Sequence, residues 1–177
     1  MSIHRIAVTA LSLSAAAFVT YIAIPEGFVG EAMIPTKGDR PTVGFGSTYR
    51  EDGSPVQLGD TITPPKALAR TLAHIQKDEA GIKRCVRVPL YQAEYDMMVD
   101  FAYQYGVDRL CSSSIVRLAN SGDYEGSCRA YTLYRFAGGY DCSTPGNKRC
   151  RGVWERSLKR RAACMGAAAA TATADTR

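Results

Sequence analysis

The chain has 177 residues, enough for one domain of ordinary size and too few for two. Lys and Arg outnumber Asp and Glu by 22 to 17, and 46% of the residues are hydrophobic, so the composition is that of a folded basic protein and excludes overall disorder. Only two histidines are present, His4 and His74, which leaves little material for a histidine-built metal centre or a Ser-His-Asp triad. The sequence therefore predicts no metal and no cofactor.

An uncharged segment lies near the amino terminus. Residues 6 to 25 contain no charged side chain and follow a basic flank formed by His4 and Arg5. About twenty such residues can cross a bilayer core of ~30 Å, and the basic flank would stay in the cytoplasm while the rest of the chain is exported. Three interpretations remain open: a signal peptide cleaved near Ala15–Ala17, a permanent anchor, or a weak anchor that can leave the membrane. Alanine and hydroxyl residues dilute the apolar side chains, which favours the weak anchor.

The other end of the chain is also distinct in composition. Gly166 to Arg177 is rich in alanine and threonine and has no large apolar residue, so we expect a disordered tail. The predicted organisation is thus an export or membrane segment over 1–25, a folded domain over 26–165 and a tail over 166–177.

Turn-forming and helix-capping residues predict the elements of the folded domain. Glycine and proline are frequent from Pro35 to Pro65, which predicts a small irregular β-sheet across residues 30 to 60 with a turn at Glu51–Gly53. Thr63 is a plausible N-cap with Pro64 at the first helical position, and the apolar spacing that follows predicts a helix to about residue 83.

Further helices are predicted in the second half of the chain. Pro89 opens one that ends at Gly106, Ser112 or Ser113 caps a short one to Ala119, and Asp123 caps another to about Phe136. The last runs from about Gly152 to Cys164. We expect a mainly helical α+β fold, and we expect the helix before Gly106 to bury a stripe made of Tyr95, Met98, Val99, Phe101, Ala102 and Tyr105.

The cysteines favour disulfides over a metal site. The six cysteines lie from Cys85 onwards and fit no Cys-x-x-Cys spacing, which argues against a zinc ribbon and for an oxidising compartment. Cys142 and Cys150 flank a Pro-Gly loop and are expected to pair. For the other four the spacing leaves the connectivity open, and we expect the pairs Cys85–Cys111 and Cys128–Cys164.

A candidate catalytic constellation follows the uncharged segment. Glu26-Gly27 stands at the end of a helix-like stretch, and the glycine-rich strand Thr42–Gly46 begins sixteen residues later. A carboxylate that faces a strand approachable by a polymer suits glycoside cleavage, in which one acid protonates the leaving oxygen. By itself an isolated Glu-Gly is more often a solvated helix end.

A family resemblance changes this interpretation. The run Glu26-Gly27-Phe28, with Pro41 to Thr48, resembles the active-site region of the T4-lysozyme-like phage endolysins of glycoside hydrolase family 24. Later segments resemble the central buried helix of that family, its next helix-turn-helix and its closing segment, in the same order: Phe101–Gly106, Ser113–Tyr124, Phe136–Gly139 and Gly152–Arg161. The resemblance implies a lysozyme-like fold, with a small β-containing N-terminal lobe, a larger helical lobe and the peptidoglycan glycan in the cleft between them.

The resemblance also implies roles for single residues. Glu26 matches the catalytic general acid, and Thr42 matches the threonine that holds the attacking water. Gln104 matches a polar residue of the central helix and is expected to bind substrate. The approachable strand makes Gly44 and Phe45 expected substrate contacts too.

The second acid departs from the family pattern. The position where the family has its aspartate holds Pro35, and the loop carries one extra residue before Thr42. Asp39 is the only acid between Glu31 and the strand, so we predict that it takes the role, with an ordinary Gly-Asp turn as the alternative. The family's histidine after the Gly-x-Gly is replaced by Ser47.

The resulting prediction is an endolysin, a muramidase that cleaves the β-1,4 bond between N-acetylmuramic acid and N-acetylglucosamine and lyses the host cell. Alternatives are an inactive peptidoglycan-binding protein of the same fold and, less favoured, a lytic transglycosylase. The resemblance also implies a signal-arrest-release segment: the chain would be tethered, inactive, to the host inner membrane through residues 6–24 and then pass into the periplasm. We expect a monomer.

A basic run lies near the end of the folded domain. Residues 148 to 161 carry seven basic side chains and one acid, which predicts a solvated helix face or attraction to an anionic cell wall. Nucleic acid is not expected as a partner, because stacking aromatics are not interleaved with the charges.

Overall fold

The computed structural model describes residues 4–35 and 38–174, with side chains through Gly166. The chain folds into two compact units. The β-containing unit comprises Ser14–Ala80, and the helical unit comprises the described residues up to Leu13 together with those from Gly81 onwards. The fold is mainly helical with two small antiparallel sheets, so the predicted α+β class is confirmed.

The β-containing unit begins with helical turns and continues into a two-stranded sheet. Strands β1 and β2 are antiparallel and pair Val29 with Gly44 and Met33 with Thr42, with an irregularity between these pairs. The predicted turn at Glu51–Gly53 is present. The elements in order are α1 (Ala15–Ala17), a π-helical segment (Phe18–Ala23), α2 (Ile24–Glu26), β1 (Val29–Met33), β2 (Thr42–Gly44) and the first part of α3 (Pro64–Cys85).

A small apolar core supports this sheet. Its buried members are Ala32, Val43, Val56, Ile62 and Ala67, with Phe45 packed against them. The backbone of β2 approaches α3 so closely that a Cβ on Gly44 would lie 2.9 Å from the Cβ of Ala67. Gly44 has φ +69°, so both its conformation and its packing require glycine.

The helical unit has short helices with local caps. Ser113 accepts a hydrogen bond from Val116 N, Asp123 accepts one from Gly126 N, and Gly106 ends a helix at φ +87°. These caps were predicted. The elements are a 3-10 turn (Val8–Ala10), the end of α3, α4 (Gln92–Tyr105), α5 (Val107–Cys111), α6 (Ser114–Asn120), α7 (Tyr124–Ala130), a 3-10 turn (Tyr131–Leu133), β3 (Phe136–Ala137), β4 (Tyr140–Asp141) and α8 (Arg151–Ala174).

Helix α4 is the buried centre of this unit. Every residue from Glu94 to Ala102 is buried, and α4 packs against α8. The predicted stripe lies inside the unit, except that Tyr105 is half-buried. Phe101 contacts Tyr134 edge to face with ring centroids 4.5 Å apart.

Three disulfide bonds cross-link residues within the helical unit. The bonds are Cys85–Cys111, Cys128–Cys164 and Cys142–Cys150. All three expected pairs are confirmed.

The amino-terminal residues of the helical unit pack against α4 and the residues just before it. Ile6 and Leu90 exchange two backbone hydrogen bonds of 2.8 and 2.9 Å. The guanidinium of Arg5 pairs with the buried carboxylate of Glu94 at 2.8 Å and lies over the rings of Tyr91 and Tyr124. Val8 and Leu11, farther along the segment, are 6% and 3% exposed.

The structure differs from the sequence-based predictions at several places. The segment 6–24 is not one continuous helix, and none of the helices among the described residues is long and apolar enough to cross a membrane. Helix α8 extends through Ala174, so the backbone of 166–174 is helical where a disordered tail was expected; alanine is the strongest helix former. Residues 175–177 lie outside the described part. Helix α7 ends at Ala130 rather than near Phe136.

Candidate active site

Glu26 is the last residue of α2 and is half-buried. The helix stops there because Gly27 adopts φ +66°, which turns the chain towards β1. Gly46 lies directly beside the Glu26 side chain, and a Cβ on Gly46 would be 2.9 Å from Glu26 Oε2. A side chain at position 46 would therefore fill the space against the carboxylate.

A tight turn brings Gly46 to this position. Val43 and Ser47 exchange two backbone hydrogen bonds of 3.0 Å, and Gly44 and Gly46 both have positive φ within the turn. The ring of Phe45 lies 5.7 Å from that of Phe28, the second residue after Glu26. The glycine-rich strand and the Glu26 segment are thus brought together, as the sequence predicted.

Thr42 and Asp39 precede this turn. Thr42 is half-buried at the start of β2, and its hydroxyl donates a long hydrogen bond of 3.4 Å to Met33 O. Asp39 is exposed in a bend, and its carboxylate has no hydrogen bond or ion pair with any residue in the described part. The preceding positions 36–37 lie outside that part, so the loop between Pro35 and Asp39 is not described completely.

Gln104 lies in the helical unit, near the end of α4. Its Oε1 accepts a hydrogen bond of 2.8 Å from Nη2 of Arg160. A guanidinium can only donate, so this contact fixes the amide with its oxygen towards Arg160 and its Nε2 group directed elsewhere. The Nε2 group of Gln104 can donate a hydrogen bond to another molecule, and Oε1 retains a second lone pair that can accept one.

Arg160 is held by an acidic partner that the sequence did not reveal. Asp100 and Arg160 are each 1% exposed and form an ion pair at 2.5 Å, and Arg156 donates to the other Asp100 oxygen at 2.6 Å. Burial raises the pKa of the nearby Tyr131 hydroxyl well above its usual range. Two of the seven residues of the basic run thus point inward, and the predicted solvated face is wrong at Arg156 and Arg160.

This geometry suits acid catalysis on a polymer. A half-buried carboxylate at a helix end, beside backbone that lacks side chains, can approach a bridging oxygen closely. The local signal for Glu26 and Gly46 was present in the sequence. The hydrogen bonds that join Asp100, Arg160 and Gln104 were not predicted, because these residues are up to 60 positions apart in the sequence.

Several known proteins are similar to this chain in sequence. The phage lysozyme family matches residues 24–161 of the chain. The endolysin of Salmonella phage P22 is 34% identical over 98 residues, which are 55% of this chain and 67% of that protein. The SAR-endolysin of Escherichia phage N15 is 32% identical over 108 residues, 59% of this chain and 61% of its own length.

Solved structures show the same fold. A crystal structure of a P22 lysozyme mutant superposes with a TM-score of 0.70 at 28% identity and covers 88% of this chain and 99% of that one. An endolysin from Escherichia coli O157:H7 phage FAHEc1 superposes with a TM-score of 0.73 at 25% identity and covers 88% of this chain and 94% of its own. Since the family match spans most of the chain and includes Glu26 and Gln104, this protein belongs to the phage lysozyme family.

Proposed function

We propose that this protein is an endolysin: a muramidase that hydrolyses the β-1,4 bond between N-acetylmuramic acid and N-acetylglucosamine in bacterial peptidoglycan. The observation that carries the proposal is the contact between Glu26 and the turn that follows β2. Gly46 in this turn has no side chain that would cover the Glu26 carboxylate. The family match over residues 24–161 and the similarity to two phage endolysins support it.

Glu26 is the proposed general acid. In its protonated form it donates a proton to the glycosidic oxygen as the bond to the sugar carbon breaks, which gives the departing sugar a hydroxyl. A water molecule held by the Thr42 hydroxyl adds to the oxocarbenium-like carbon from the opposite face and loses its proton to a base. Asp39 is the proposed base, and this order of events inverts the anomeric configuration.

The test is mass spectrometry of purified peptidoglycan digested by the oxidised protein, beside Glu26→Gln. Soluble fragments with reducing N-acetylmuramic acid ends are expected from the unchanged protein, and at least a hundredfold less from the variant. Glu31→Gln is the matched control, because Glu31 is an exposed acid on β1 in the same unit. Anhydro ends would indicate a transglycosylase, and no fragments at all would indicate a binding protein.

Asp39→Asn tests the second acid separately. If Asp39 is the base, the variant loses most of its hydrolytic activity and keeps its thermal unfolding midpoint, because the exposed carboxylate supports no described contact. Full activity of this variant would assign Asp39 to the ordinary turn.

We also propose that residues 6–24 tether the chain to the inner membrane before it acts in the periplasm as a monomer. The packing of the amino-terminal residues supports a released form. Val8 and Leu11 are buried in the helical unit, and Arg5 is bound by Glu94, so these side chains have protein partners that can replace lipid and water. Released residues thereby regain apolar burial, which offsets the loss of the bilayer environment.

Fractionation of cells with and without a protonophore tests this step. The unchanged protein is expected to move from the membrane to the soluble fraction after the potential collapses. Ala15 and Ala16 are exposed, so replacing both with leucine strengthens membrane insertion without overfilling the released form, and this variant should stay in the membrane. The matched control replaces both with serine and should release readily. Equal release of both variants, or a chain shortened by cleavage, would contradict the proposal.

A further inference from the structure

The short hairpin of β3 and β4 carries exposed apolar side chains on the surface of the helical unit. Phe136 is 61% exposed and Tyr140 is 46% exposed. The strands pair Ala137 with Tyr140, so Tyr140 lies opposite the residue that follows Phe136. Adjacent Cα atoms are ~3.8 Å apart, so both rings belong to one small piece of surface. Leu133, just before the hairpin, is 62% exposed and adds to its apolar content.

A disulfide-closed loop holds two basic side chains beside this hairpin. The bond Cys142–Cys150 closes the loop that follows β4, and Asn147 Nδ2 donates a hydrogen bond of 2.9 Å to Asp141 O. Lys148 and Arg149 are exposed near the end of the loop, and among the residues that the structure describes neither has an ion-pair partner. The loop therefore presents two uncompensated positive charges next to the strands.

Guanidinium groups lie against both exposed rings. Arg149 donates a hydrogen bond to the Tyr140 hydroxyl, and its guanidinium carbon is 4.7 Å from the centroid of that ring. Arg135 is 5.4 Å from the centroid of Phe136 and pairs with Asp141 at 3.3 Å. Residues 133–151, which we call the basic hairpin, contain four basic side chains and one acid. The surface thus combines an apolar centre with a positive rim.

This combination selects the kind of partner. Aromatic rings are favoured at the level of lipid headgroups, and lysine and arginine are attracted to anionic lipids. A sugar chain is a poorer match, because a guanidinium already covers one face of each ring on which a sugar would stack. We propose that the basic hairpin binds the surface of a membrane that contains anionic phospholipid, with Phe136 and Tyr140 among the headgroups and Lys148 and Arg149 against lipid phosphates.

The proposed contact goes beyond the muramidase activity and the tether formed by residues 6–24. It is made by folded residues that a disulfide holds in place, so it requires no rearrangement of the chain. A few exposed apolar side chains supported by basic residues give reversible binding that salt weakens. The basic hairpin would therefore keep the released protein close to a membrane surface without anchoring it there.

Sedimentation of the oxidised full chain with lipid vesicles tests the proposal. We expect binding to phosphatidylcholine vesicles that contain roughly one quarter phosphatidylglycerol, and about tenfold weaker binding to phosphatidylcholine alone. Raising NaCl from about 0.1 M to about 0.5 M should release most of the bound protein. Equal binding to both kinds of vesicle, or binding that salt does not change, would overturn the proposal, because insertion of residues 6–24 requires neither anionic lipid nor low salt.

The apolar contribution is tested by Phe136→Ser, which should weaken binding to the anionic vesicles about fivefold. Leu58→Ser is the matched control, since Leu58 is 62% exposed and lies in the β-containing unit. Equal binding by the two variants would overturn the proposal.

The charge contribution is tested by the double variant Lys148→Gln/Arg149→Gln, which should also weaken binding about fivefold. The control Lys66→Gln/Arg87→Gln removes one lysine and one arginine at exposed positions outside the basic hairpin. An equal loss in the two double variants would show that only the net charge of the protein matters and would refute the assigned surface.

Phe136→Trp reports whether this side chain reaches the lipid. Its emission should move to shorter wavelength on anionic vesicles and be quenched by nitroxide-labelled lipid, after subtraction of the signal from Trp154 in the unchanged protein. An unshifted, unquenched emission would contradict the proposal.

Purified peptidoglycan sacculi separate the membrane from the cell wall as the partner. Phe136→Ser should bind sacculi and hydrolyse glycan as the unchanged protein does. Loss of binding to sacculi rather than to vesicles would assign the basic hairpin to the cell wall and overturn the proposal. Vesicle binding without glycan hydrolysis would overturn only the muramidase, and hydrolysis without vesicle binding would overturn only the membrane contact.

Discussion

Gly46 and Glu26 are in contact through backbone and carboxylate, with no room for a methyl group between them: a Cβ on Gly46 would lie 2.9 Å from Glu26 Oε2. Gly46 has φ +77°, so two separate constraints act at this position. One is the left-handed backbone, which costs a non-glycine residue about 1–2 kcal/mol. The other is the space that the Glu26 carboxylate occupies. A side chain at position 46 would displace this carboxylate, which is the proposed general acid.

Gly46→Ala should therefore lower both stability and activity. We expect a loss of about 1–2 kcal/mol from the backbone conformation and at least a tenfold loss of peptidoglycan hydrolysis, because the carboxylate must move. Gly53→Ala is the matched control, since Gly53 has φ +82° and nothing within 4 Å of its Cβ position. Thermal unfolding and initial hydrolysis rates measure the two effects. Equal activity of the two variants would show that the carboxylate adapts to the methyl group.

Arg160→Leu should strongly destabilise the protein. The substitution leaves the buried Asp100 carboxylate with Arg156 alone, and breaking a buried ion pair from one side costs about 3–5 kcal/mol. Arg151→Leu is the control, because it breaks an exposed pair with Glu155 and should cost less than about 1 kcal/mol. Guanidinium unfolding measures both. Similar free energies of unfolding for the two variants would contradict this assignment.

The three disulfides should contribute unequally. In the chain-entropy account, removing Cys128–Cys164, which closes 36 residues, costs about 3.8 kcal/mol, and removing Cys142–Cys150, which closes 8, costs about 2.5 kcal/mol. Paired Cys→Ser variants unfolded in urea without reductant give the comparison. The opposite order would mean that the short loop contributes by another mechanism than restricting the unfolded chain.

Asp60 should titrate in strong acid. The bidentate hydrogen bonds from Arg50 lower the pKa of Asp60 from 3.8 to about 2. The folded state thus binds this proton less tightly than the unfolded state, so the stabilisation is present above pH 3.8 and is lost as the pH falls through about 2. Carboxyl NMR titration of Arg50→Gln should show the pKa of Asp60 raised. The pKa of Asp52 is lowered chiefly by the Ser54 hydroxyl and should change little, which provides the internal control.

Local sequence signals predicted several helix ends correctly, although the ends of α7 and α8 were wrong. Ser113, Asp123 and Gly106 act through hydrogen bonds and backbone angles within a few residues, so their effect can be deduced without tertiary structure. The Glu26–Gly27 helix end and the glycine-rich strand were likewise predicted to lie together, and they do so in the β-containing unit. The disulfide pairs were also correct, although spacing alone left four of the cysteines open.

Long-range features were not predictable in the same way. The basic run at 148–161 has the composition of a solvated face, and only Asp100, 60 residues before Arg160, turns two of its side chains inward. Strands β3 and β4 have two residues each, too few for a periodic signal. The role of Asp39 stays a prediction, because it depends on a loop with an extra residue whose positions 36–37 lie outside the described part.

The discontinuity of the helical unit has a consequence for folding kinetics. Its first residues and its main body are separated along the chain by the entire β-containing unit, and the Arg5–Glu94 contact closes a sequence separation of 89 residues. Contacts of such separation form late, because their loop-closure entropy must be offset by structure already present. Helices α4 to α8 can therefore assemble before the amino-terminal segment docks, and that docking is the last step to complete the unit. Any interaction that holds residues 4–13 away from the helical unit therefore delays formation of the native state.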